Sequence, residues 1–159
     1  MKTIRVLFLF VITMLSSATL VARSNTYNYR LENELRRFME EHCQALSEGD
    51  FLKVLEQLSI PDENLKATIF QMVYLYDSYE PSYTVVNLRL INYRMNGDGS
   101  LRAEVEMTQD TRARKLKSAF NDNRLVARHI LEKRAGKWKF LSTQVISFVS
   151  LETDNNQVK

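Results

Sequence analysis

The hydrophobic period of this chain changes once, at Pro81, and that change constrains the fold more than any other feature. Before Pro81 apolar residues recur at helical spacing, and after it they alternate. Leu31, Leu35, Phe38, His42 or Cys43, and Leu46 form one stripe, with Glu32, Glu34, Arg36, Arg37, Glu40 and Glu41 on the remaining surface. Gly49 stops this first helix, and Asp50 is placed to cap a short second one carrying Phe51, Val54, Leu55 and Leu58. Pro61, Asp62 and Glu63 open a third helix, which Leu65, Ile69, Met72, Val73, Tyr76 and Tyr79 continue to the residue before Pro81.

The second half reads as two hairpins. Residues 83–95 are rich in β-branched and aromatic side chains, and Asn96-Gly97-Asp98-Gly99 is a turn signal. Beyond it Leu101, Ala103, Val105 and Met107 alternate with Arg102, Glu104, Glu106 and Thr108. Residues 124–134 and 137–151 flank Ala135-Gly136, and both carry apolar side chains on two faces, the pattern expected of central strands covered on both sides. Helices first and a meander afterwards predict an α+β fold, with three helices laid over one face of a curved, mainly antiparallel sheet of about four strands.

The ends read differently. Lys2 and Arg5, an apolar run from Val6 to Leu15 broken only by Thr13, and the small-residue stretch 16–24 have the layout of a secretory signal peptide. Cleavage after Ser24 is expected, with Ala18 and Ala22 marking the alternatives. An uncleaved N-terminal membrane anchor is the other reading, because residues 6–22 reach the lower length limit for a spanning helix. One domain over residues 25–152 and a polar tail over 153–159 follow, and the expected destination is the periplasm or the exterior. A membrane association is expected only if the leader stays.

The chain has 22 Lys plus Arg against 19 Asp plus Glu, but the excess lies in Lys2, Arg5 and Arg23. Without the leader the charges balance, which argues against nucleic acid as a partner. They do not balance locally. Residues 25–80 hold 5 basic and 11 acidic groups, and residues 81–159 hold 14 and 8. Arg112, Arg114, Lys115 and Lys117, with Arg124 and Arg128, form a candidate patch for a polyanion or an acidic partner, or else a solvated face. Cys43 is the single cysteine, so an intrachain disulfide is excluded and a buried apolar role is expected.

The stretch Ala45-Leu46-Ser47-Glu48-Gly49-Asp50-Phe51, together with the run from Ile130 through Gly136-Lys137-Trp138-Lys139-Phe140, resembles the nuclear-transport-factor-2-like superfamily. The resemblance implies a cone-shaped, cystatin-like sheet curled around a pocket, and pairing of two copies through the open sheet face. Two family features have no match: the His-x-His positions hold Ser142 and Gln144, and the acid and base groups of the ketosteroid isomerases cannot be placed by motif.

A pocket of that kind would bring inward-facing groups into play. His42, Asp77 and Tyr76 are the candidate acid/base residues, and Tyr76, Tyr79, Tyr83, His129 and Trp138 the candidate ligand contacts. Each also has a plain packing role open to it. The two histidines lack the acidic spacing of a metal site, and neither a metal nor another cofactor is expected. The expected function is therefore an exported, non-catalytic module, a homodimer that binds a small apolar ligand or an envelope protein. A small cofactor-free isomerase or cyclase is the alternative, so the sequence leans away from catalysis without excluding it.

Overall fold

The structure, a computed structural model, describes residues 27–115 and 120–151. The leader and the polar tail lie outside the described residues. The described residues fall into two units, divided between Leu35 and Arg36. Of the first, residues 27–35 form the opening turns of a helix, with Leu31 and Leu35 buried.

That helix, α1, runs over residues 27–48 and is followed by α2 (Phe51–Gln57) and α3 (Asp62–Tyr79). Four strands come after them: β1 (Pro81–Met95), β2 (Leu101–Ala113), β3 (Asn123–Arg134) and β4 (Lys137–Ser150). They form one antiparallel sheet in the order β1-β2-β3-β4. The α+β class and the order of elements are those the change of period predicts.

Local chemistry explains the breaks. Gly49 adopts φ +73, and Asp50 caps α2 by accepting from the Lys53 N–H at 3.2 Å. Glu80 closes α3 in a left-handed conformation, and buried Pro81 opens β1. At the second hairpin Ala135 and Gly136 both have positive φ, as a two-residue turn between twisted strands requires. Gly49 carries a second constraint, because a Cβ there would lie 2.9 Å from Tyr76 Cζ, whereas at Gly136 it would meet nothing within 4 Å. Gly49→Ala is therefore expected to destabilise the domain by about 2 kcal/mol or more, and Gly136→Ala by about 1 kcal/mol. Urea denaturation of the two variants checks the order.

The core lies between the helices and one sheet face. From α1 it takes Met39, Cys43 and Ala45, and from α2 Val54. The sheet supplies Leu88, Leu101, Ala103, Val105, Met107, Ala127, Leu131, Trp138 and Phe140. Every second residue of β2 from Leu101 to Thr111 is buried, a period of two matched to a sheet covered on one side. The opposite face is an ionic lattice: Arg89 pairs with Glu106 at 3.1 Å, Arg128 with Glu104 at 3.4 Å, and Arg124 with Asp110 at 2.7 Å.

Two expectations change. The apolar residues of β4 predicted a strand covered on both faces, but a meander puts the last strand at the edge, and residues 141–150 are exposed throughout. The stripe on α3 predicted a helix laid over the sheet, yet none of its 18 residues is buried. Its attachments lie at its C-terminal end, where the Tyr76 hydroxyl donates to the Glu48 carbonyl at 3.3 Å and its ring meets Phe51 edge-on at 5.7 Å. The periodicity is real, but the surface it would cover is not supplied by the described residues.

Candidate functional site

The histidines, distant in sequence, come together around Phe140. His42, on α1, stacks obliquely on the Phe140 ring at 4.6 Å, and His129, on β3, meets the same ring edge-on at 5.4 Å. Phe38 packs against that ring at 5.4 Å. His42 Nδ1 lies 2.8 Å from Gln57 Oε1, within hydrogen-bond distance. His129 Nδ1 is 2.9 Å from Thr143 Oγ1, and its Nε2 is buried with no hydrogen-bond partner among the described residues. Burial lowers the pKa of both rings. For His129 burial, with a smaller contribution from His42, brings it down to about 4; the Gln57 bond partly offsets the shift at His42. Both imidazoles are thus neutral near pH 7.

The other candidate residues lie elsewhere. Asp77 is exposed on α3, and Tyr79 stacks on Phe120 at 5.0 Å. The Tyr83 N–H donates to Ser47 Oγ at 2.8 Å, and burial, followed by the neighbouring Cys43, raises its phenol pKa. The Cys43 thiol donates to Gln109 Oε1 at 3.4 Å, and burial pushes it up to about 12, so it is a packed, protonated thiol. Trp138 is buried, with Lys133 Nζ 5.8 Å from the ring centre. The structure thus brings His42 and His129 together, and holds Tyr76 and Tyr79 on the far end of α3.

The basic residues of the candidate patch are engaged in distinct ways. Arg114 donates from Nε to the Glu80 carbonyl at 3.0 Å and from Nη2 to the Ser47 carbonyl, so one guanidinium meets the C-terminal ends of α3 and α1. Lys115 pairs with Glu80. Arg124 holds Asp110 with two bonds, of 2.7 and 2.9 Å, which keep that carboxyl below its usual range, and Arg128 bridges Glu104 and Glu106. Arg112 is exposed, and Lys117 lies outside the described residues. Among the described residues no group of three His, Cys, Asp or Glu is placed to hold a metal, and no helix is long and apolar enough to cross a membrane.

What the sequence reading missed is surface and recess. On α3, Leu65, Phe70, Val73, Tyr74 and Leu75 are exposed, Phe70 by 72%. On β4, Val145, Ile146, Phe148 and Val149 are exposed, covering both faces of the edge strand. A recess of about 220 Å³ opens beside the first hairpin, lined by Asn92, Arg94, Arg102, Glu104 and Ile130 among others. The symmetric placing of Arg94 and Arg102 about the turn was a visible signal for it.

These features define an α+β domain that presents apolar surface on α3 and on the edge strand β4. The family is more particular: the C-terminal domain of the anti-sigma-I factor RsgI9 matches residues 37–151, and the chain belongs to that family. No curated protein matches the chain.

Membership in this family corrects the resemblance to the nuclear-transport-factor-2-like superfamily. The residues that carried it specify a helix cap, a turn and a buried strand start, which any fold of this layout needs. It also corrects the functional expectation. The ligand-binding module, its pocket, and the isomerase or cyclase alternative give way to an anti-sigma-factor family.

Proposed function

We propose that this chain is a regulatory domain of the anti-sigma-factor kind that acts by binding a protein, with a sigma factor as the partner. The family supports the regulatory class. The observation that carries the mode of action is α3, an 18-residue helix with no buried residue and with Phe70 and Tyr74 standing in solvent. Contiguous apolar side chains on one element favour an interaction surface over solvent exposure. The edge strand β4, with Val145 and Phe148 exposed, supplies a second surface of the same kind.

The test is direct binding, by calorimetry, of the purified full chain to the sigma factors of its own organism. A saturable complex with one of them is expected, and Phe70→Asp is expected to weaken it by about tenfold or more while leaving the melting temperature unchanged. Absence of binding to every sigma factor overturns the proposal.

A further inference from the structure

On the solvent face of the sheet two arginines face each other with no acid to separate them. Arg94 on β1 and Arg102 on β2 are direct cross-strand partners, four residues either side of Asp98. Neighbours of this kind stand about 5 Å apart, and like charges so placed repel. Three other arginines on this face meet carboxylates: Arg89 meets Glu106, Arg128 meets Glu104 and Glu106, and Arg124 meets Asp110. Arg94 and Arg102 have no carboxylate within ion-pair distance among the described residues. The acid that could have served is taken, since Glu132, the β3 partner of Arg102, is held by Arg134 at 2.6 Å.

The same two arginines line the recess of about 220 Å³. An irregularity between Leu90 and Asn92 shifts the β1 register beside it, and such bulges bend and twist a strand locally. Two guanidinium groups, the Asn92 amide and the aliphatic side chain of Ile130 thus border one concavity.

We infer that the recess between Arg94 and Arg102 binds a carboxylate carried on a short aliphatic stem. Guanidinium forks match the planar carboxylate with paired bonds, and Asn92 adds a neutral donor. Ile130 suits the stem. Glu104 lines the same recess, and its charge, shared with Arg128, disfavours the charge that a phosphate concentrates on one group relative to the single charge of a carboxylate group. The ligand is a small dicarboxylate or the acidic side chains of a peptide. This inference stands independently of the family.

The test is NMR titration of the full chain with glutarate, with a blocked tetraglutamate peptide and with inorganic phosphate at low salt. Saturable shifts at the amides of Asn92, Arg94, Arg102 and Glu104 are expected with glutarate or the peptide. Equal affinity of the two assigns a free dicarboxylate, and a peptide tighter by about tenfold assigns an acidic segment. Arg94→Gln and Arg102→Gln are each expected to weaken binding by about tenfold while the melting temperature holds or rises, because the repulsion is relieved. The inference is overturned by tighter binding of phosphate, by no saturable shift up to about 10 mM probe, or by binding that survives the double variant.

Discussion

Replacing Phe140 by alanine is expected to destabilise the domain by about 3–5 kcal/mol, whereas the same replacement at Phe148 should change stability by less than about 0.5 kcal/mol. Both residues are phenylalanines of β4, and they differ in what covers them. Phe140 is 6% exposed and Phe148 is 62% exposed. The Phe140 ring touches Phe38, His42 and His129, and its backbone carbonyl accepts from the Ser59 N–H at 3.0 Å just beyond α2. Truncation would leave a cavity at the meeting point of α1, β3 and β4, with little reason for the backbone to collapse into it. Urea denaturation of both variants measures the difference. Equal losses would mean that the outer half of β4 is covered.

The second large effect is on acid stability. Burial holds the His129 pKa at about 4 against the ordinary 6.5 of an imidazole, so between those limits the unfolded chain takes up a proton that the folded chain does not. Stability is complete above about pH 6.5 and falls as the pH drops towards 4, by an amount on the order of 3 kcal/mol from this group. His42, lowered by burial, acts in the same direction. Denaturant titrations between pH 7 and 4.5 should show the slope in the native chain and a shallower one in His129→Leu. Leucine removes the titration together with the unpartnered Nε2. An unchanged slope in that variant would place the acid sensitivity elsewhere. Asp110, held below its usual range by Arg124, contributes in the same direction at lower pH.

The pairing of the histidines shows why the candidate site was only half legible. His42 was readable as part of a helical stripe and His129 as a strand residue, but their common neighbour depends on where β4 crosses α1. That crossing follows from sheet order and register, with Leu131 opposite Phe140 and His129 opposite Thr143. The basic residues show the same limit. Arg114 is one cation in a run, and its task at two helix ends exists only because α1 and α3 finish beside it. Motifs misled for a related reason: Gly49-Asp50 and Gly136 encode a stop, a cap and a turn, and those needs are common to many folds.

Sequence by itself determined the order and type of the elements. The change of period at Pro81, the glycine stops and the two hairpin turns act through neighbours along the chain, so local spacing carries them. It also determined which face of β2 is buried, since the apolar alternation from Leu101 to Met107 leaves one solution. Only the tertiary structure decided what covers the apolar stripes. Burial belongs to pairs of surfaces, and a stripe on α3 or β4 reads the same in sequence whether its partner is the sheet or absent from the described fold. The change at Pro81 therefore defines an α+β chain, and the exposed faces of α3 and β4 make it a domain with surface left for a partner.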